Sequence, residues 1–169
     1  MLANIFDKIV PVSLHRIYIA VKKPITDKMI ITDNSLRMII PYGNNGTEWY
    51  NYMLYSDSIY SDILKDIYDV NEKDEFNQII ADLINKLLGV SLLTSDFIEV
   101  ISEHWKEGVH FIRAHNHLYD DEKAYQYLIS GKIDDFPNMY ICGEAYSKRQ
   151  AWVEGGLEMI NDLHQIKKN

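Results

Sequence analysis

Residues 138–163 read NMYICGEAYSKRQAWVEGGLEMINDL. An apolar run from Met139 to Cys142 ends at Gly143, and a polar loop follows from Glu144 to Gln150. From Trp152 onward the pattern is amphipathic, with Val153, Leu157 and Ile160 at helical spacing. Strand, glycine, acidic residue, loop and helix start make a corner that aims free backbone N–H groups and the positive end of a helix at an electron-rich group. The chain is therefore predicted to end in a strand–loop–helix corner built to meet a ligand.

Upstream, Leu14 to Val21 has the β-branched and aromatic content of a strand. Alternation places Leu14, Arg16, Tyr18 and Ala20 on one face and His15, Ile17, Ile19 and Val21 on the other. Met29–Thr32 and Leu36–Ile40 read as short strands about Asp33-Asn34, the second closed by Pro41, and Glu48–Tyr55 reads as another. Ser56 or Asp57 caps a helix carrying Ile59, Tyr60, Ile63, Leu64 and Ile67. A second helix, from about Asp74 to Leu88, has the stripe Phe76, Ile79, Ile80, Leu83 and Leu87 and stops at Gly89. Phe97–Trp105 is predicted as a strand, Val109–Tyr119 as irregular, and a short helix from Asp120 or Asp121 ends at Gly131. With no repeat, linker or low-complexity tract, residues 1–169 are expected to form a single α+β domain: a mostly antiparallel mixed sheet packed by helices.

The net charge of −8 opposes nucleic acid and anionic membrane surfaces as partners. One cysteine excludes an intrachain disulfide and fits a reducing compartment. No secretory signal and no apolar run of membrane-spanning length are seen, so the expected location is cytoplasmic. The bias toward Ile, Asn, Asp, Lys and Tyr is common in AT-rich genomes, large DNA viruses among them, which makes a virion the alternative location. Asn45-Gly46-Thr47 reads as a turn. His104, His110, His115 and His117 lack the accompanying Cys or carboxylate spacing of a metal site, and none is expected.

The string G-E-A-Y-S-x-x-Q-A-W-V-E-G-G-L, from Gly143 to Leu157, resembles the C-terminal flavin-contacting motif of the FAD-dependent amine oxidases, the monoamine and polyamine oxidase family. The order of elements resembles that family's substrate-binding half, while the dinucleotide-binding half is absent, since none of the eight glycines forms G-x-G-x-x-G. The resemblance implies cofactor contacts at Trp105, Gly143, Glu144, Ala145, Trp152 and Val153. Val153 would offer its backbone N–H to the flavin pyrimidine edge, and Trp152 would form one wall of an aromatic cage around the amine. His110 falls at the opposite wall, where the family often has Tyr. Val109 stands where covalently flavinylated members place cysteine, so the implied FAD is non-covalent. Arg16 falls where many members carry a lysine that holds a water near the flavin; a guanidinium can hold a water or pair with a carboxylate, but it cannot act as a base. On residues alone, Trp105 and Trp152 also suit a core, Glu144 suits a loop cap, and Arg16 suits a partner for an acid.

The resemblance thus implies part of an FAD-dependent oxidoreductase acting on a small-molecule amine, with Arg16 as the catalytic-site residue. The complete unit would be made with a second polypeptide carrying the dinucleotide-binding half, as a homo-oligomer, or as a longer product of which this chain is a fragment. The alternative is a catalytically inactive amine-oxidase-like binding or structural module. It predicts an exposed apolar patch around Trp105, Tyr140 and Trp152.

Overall fold

The computed structural model describes residues 5–44, 46–112, 121–133 and 136–168. Its strands are β1 (Ile9–Val21), β2 (Ile30–Ile31), β3 (Met38–Gly43), β4 (Tyr50–Asp57) and β5 (Phe97–Ile112), joined in one sheet in the order β2-β3-β4-β1-β5. A two-stranded pair, β6 (Lys132–Ile133) and β7 (Phe136–Pro137), stands apart from it in the hydrogen-bond pattern. The helices are α1 (Ser58–Val70), α2 (Lys73–Leu88), α3 (Asp121–Ile129) and α4 (Val153–Lys168). The fold is α+β with an antiparallel sheet, as expected. The pairings β1–β4, β2–β3 and β3–β4 are antiparallel. At the β1–β5 edge, Lys22 N–H bonds the carbonyl of Asp96 while His15 meets Ser102, so those strands also run oppositely.

The chain divides into two compact units, Ser13–Gly108 and Met1–Val12 with Val109–Asn169. The boundaries fall within β1 and β5.

In the first unit, the β1 face carrying Ile17, Ile19 and Val21 is fully buried, against Leu64 of α1 and Phe76, Ile80 and Ile84 of α2. The alternation read from the sequence is therefore what seats the helices. α2 opens with a capping box, in which the Glu72 carboxylate accepts from the backbone at Glu75 and the Glu75 carboxylate accepts from Glu72 N–H. It closes at Gly89, whose φ of 67° is the left-handed cap that a side chain would strain. β3 runs through Pro41 to Gly43, three residues past the predicted end at Ile40. The missing N–H of Pro41 is tolerated because β2 reaches only Met38 and Ile39, leaving Pro41 unpaired on that side. The register then slips between Pro41 and Gly43.

The second unit has its own core: Ile5, Ala124, Tyr125, Leu128, Ile129 and Met159, with Ile141, Cys142 and Tyr146 against it. Tyr125 Oη donates to Asp162 at 2.7 Å and so ties α3 to α4. Residues 109–112, expected to be irregular, continue β5; Asn45, residues 113–119, Asp120 and the pair His115 and His117 lie outside the described residues. The run Met139–Cys142, expected as a strand, makes no ladder. Ile141 N–H instead bonds the carbonyl of Leu128 at the end of α3, and its side chain enters the core from a loop.

Two measurements check this account. Ile80→Ala should lower unfolding free energy by about 2–5 kcal/mol, read from the urea midpoint, because the site is fully enclosed. His15 is completely buried, and burial first, then the neighbouring His104, holds its imidazole at about 4 instead of 6.5. The unfolded chain therefore binds the extra proton first, and stability should fall as pH drops from 6.5 to 4, then level off. The loss should total on the order of 3 kcal/mol. Subtracting the same titration of His15→Asn should isolate it; superimposable curves would refute the assignment.

Candidate functional site

In the second unit the site is the corner from Gly143 to Gly156, and one carboxylate organises it. Glu144 lies in a single 3-10 turn, Glu144–Tyr146. Its Oε1 is 2.6 Å from His110 Nδ1, and its Oε2 accepts from Ala151 N–H at 2.7 Å. A carboxylate only accepts, so His110 carries its proton on Nδ1, and in the neutral ring Nε2 is the acceptor nitrogen. Ala151 has φ of 65°, a left-handed conformation that disfavours a Cβ by roughly 1–2 kcal/mol. The bond from its N–H to Glu144 opposes that strain and aims the chain into α4.

Gln150 adds a second tie, since its Nε2 donates to Ala145 O at 2.6 Å and its Oε1 accepts from Ile112 N–H at 2.9 Å. Ser147 Oγ donates to Glu144 O at 2.9 Å and accepts from Arg149 N–H. Gly155 makes this closeness possible, because a Cβ there would stand 2.1 Å from Ser147 Oγ and 2.3 Å from Arg149 O. A Cβ on Gly143 would meet nothing within 4 Å, so that backbone is open to close approach.

The loop thus fills the Gly155–Met159 side of α4, the side that is buried. The stripe Val153, Leu157 and Ile160 lies about opposite, with 71%, 59% and 56% of its surface exposed. Its helical spacing is as read, but it faces solvent. Trp152 is also exposed, so its indole is a surface group rather than a core one. As the first helical residue, Val153 has a backbone N–H with no intrahelical acceptor.

In the first unit, the β1 face away from the helices carries Arg16, Tyr18 and Ala20, opposite Tyr55, Met53 and Asn51 of β4. The Arg16 guanidinium lies over the Trp105 ring, 5.8 Å from its centroid. Its Nε is buried without a hydrogen-bond partner. Tyr55, half-buried across the strand, has its phenol pushed above the usual range by burial and by Asp57. A hollow of about 300 Å³ on this unit is lined by Tyr18, Ala20, Tyr42, Asn51, Glu99 and Ile101.

The sequence-derived residues therefore form two groups. His110, Gly143, Glu144, Ala145, Trp152 and Val153 share the corner, and Arg16 and Trp105 share the sheet face. Gln150, Tyr18, Tyr55 and Glu99 were not singled out in the sequence. Alternation along β1 was the available signal for Tyr18, whereas the role of Gln150 depends on a pairing with Ile112 that spacing does not encode. Burial pushes the Cys142 thiol up, away from the reactive thiolate. Among the described residues no three His, Cys, Asp or Glu side chains gather as a metal set, and no helix is long and apolar enough to cross a membrane.

No protein-family model matches the chain, and neither does any curated protein sequence. Its fold is similar to the crystal structure of a putative protoporphyrinogen oxidase from Exiguobacterium sp. 255-15, with a TM-score of 0.64 at 10% sequence identity. The match covers 95% of this chain and 35% of that one, so the chain spans about a third of the length of the structure it resembles. The likeness is one of fold, and it is to part of a protein named as an oxidase.

Glu144→Ala should release both ties. Loss of two hydrogen bonds to an ionised acceptor should cost about 1.5–3 kcal/mol, and the Ala151 amide should exchange with deuterium faster while amides in α2 keep their rates. Unchanged exchange at Ala151 would show that the carboxylate does not hold the corner.

Proposed function

We propose that this chain is the substrate-binding and C-terminal portion of an FAD-dependent oxidoreductase acting on amines, completed by a dinucleotide-binding half carried by another polypeptide or by a longer product of which this chain is a part. The observation that carries the reading is the Glu144 corner. A carboxylate holds Ala151 in a strained turn, and that turn presents an exposed Trp152 and the free N–H groups at the start of α4. The likeness to about a third of an oxidase-named structure supports it.

The corner fits the ring end of a flavin. Gly143 leaves backbone open, the Val153 N–H and the helix dipole suit the electron-rich pyrimidine edge, and Trp152 offers a bare aromatic face. These residues contain no G-x-G-x-x-G to cradle the pyrophosphate, and that role is assigned to the dinucleotide-binding half. When bound, the isoalloxazine would accept a hydride from the carbon beside the amine nitrogen and pass the electrons to dioxygen, giving hydrogen peroxide. The chain's own residues bind and orient. Val153 would donate a hydrogen bond to the flavin through its backbone, Trp152 would stack, and Glu144, bonded to His110 Nδ1, would leave Nε2 as the acceptor nitrogen for the amine.

A second reading is a binding or structural module without turnover. It is favoured by Arg16, which cannot act as a base, and by the exposed stripe Val153, Leu157 and Ile160, a surface suited to another chain.

The chain should be titrated with micromolar FAD alone and with candidate dinucleotide-binding polypeptides, following flavin fluorescence and co-elution of yellow colour. Uptake with a partner is the expected result, and a colourless protein throughout would overturn the enzyme reading. Val153→Pro is compatible with the first helical position yet removes the N–H, so it should weaken FAD binding about tenfold without unfolding α4.

A further inference from the structure

We propose that the ligand on the first unit's sheet face is a zwitterion: a carboxylate held by Arg16 and, several bonds away, a cationic nitrogen held by Glu99. Arg16 is permanently charged, yet among the described residues it makes no ion pair, and its Nε is buried without an acceptor. An unsatisfied buried donor on a charged group is unfavourable by a few kcal/mol unless an acceptor arrives, and the planar fork fits a carboxylate through two parallel bonds. The Trp105 ring, 5.8 Å from the guanidinium, attracts its charge electrostatically.

The opposite charge is on the same face. Glu99 lines the hollow of about 300 Å³ with Tyr18 and Ala20, the next two residues after Arg16 on that face of β1. It too has no ionic partner among the described residues. At about 3.4 Å per residue, Tyr18 and Ala20 stand roughly 7 and 14 Å beyond Arg16. That separation excludes an α-amino acid spanning both charges and suits an extended ω-amino acid or the end of a flexible chain. Tyr18, Tyr42 and Ile101 supply walls for the connecting methylenes. This binding is argued from the first unit alone and does not rest on the proposed function.

The test follows the Trp105 indole N–H in 1H–15N spectra, assigned with Trp105→Phe, while the full chain is titrated with 6-aminohexanoate, hexanoate, hexylamine or inorganic phosphate. The expected result is a saturable shift with 6-aminohexanoate, a shift with hexanoate only at about tenfold higher concentration, and none with hexylamine or phosphate. Arg16→Met should abolish the response. Arg16→Lys, which keeps the charge but loses the fork, should weaken it about tenfold. Glu99→Gln, at an exposed position, should make 6-aminohexanoate and hexanoate equivalent. Equal responses in wild type and Arg16→Met, a phosphate response matching that of the carboxylates, or no shift with any probe would overturn the proposal. No flavin is used, so failed FAD uptake alongside an Arg16-dependent shift would reject the flavoenzyme reading alone.

Discussion

Strand β1 separates two chemistries by the two-residue period of its side chains. One face, Ile17, Ile19 and Val21, is buried under α1 and α2; the other presents Arg16 and Tyr18. A slip of one residue against β4 would carry the guanidinium into the apolar interior and the isoleucines out of it, so register is fixed by burial and not by turns alone. The same burial that stabilises the unit also holds Arg16 beside Trp105. His15 is the exception on the buried face. It is accommodated by staying neutral, with Ser102 Oγ 2.6 Å from Nε2 and the His104 ring edge-on.

The Glu144 corner works on a different principle. There the backbone is held where it would not rest unaided, since Ala151 is left-handed without being glycine. Such a conformation persists only when neighbouring bonds over-determine it. Glu144, Gln150 and Ser147 supply those bonds from within a dozen residues, together with His110 and Ile112 from the end of β5. The acid also stands close to the first turn of α4, so its charge and the helix dipole are mutually favourable. Both of its oxygens are used inside the protein, so Glu144 positions the turn that leads into Trp152 and Val153.

What was legible in the sequence was local. The stops at Gly89 and Gly131, the stripe of α2, the alternation of β1 and the opening of α4 within a residue of Trp152 depend on short-range rules, and those rules decided them. The misreadings share a cause in tertiary context. Pro41 stays in a strand because its neighbour is too short to need its N–H. Met139–Cys142 has strand composition but meets only the end of α3, so it packs without a ladder. The α4 stripe has the periodicity of a core face, yet the loop it follows claims the glycine side instead. Within the site, residue types identified the corner, but which atom bonds which could not be read from spacing.

The exposed stripe on α4 follows from how the helix is seated. Three large aliphatic side chains at helical spacing, next to an exposed indole, are unusual on a surface that only meets water. The packing of α4 explains why they are not in this unit's core: Gly155 and Met159 are seated there, and a helix cannot bury opposite faces against one neighbour. The stripe is therefore left exposed on α4. The stripe and the Glu144 turn meet at Val153, the first residue of the helix, so the backbone that the turn fixes also sets which way the stripe faces.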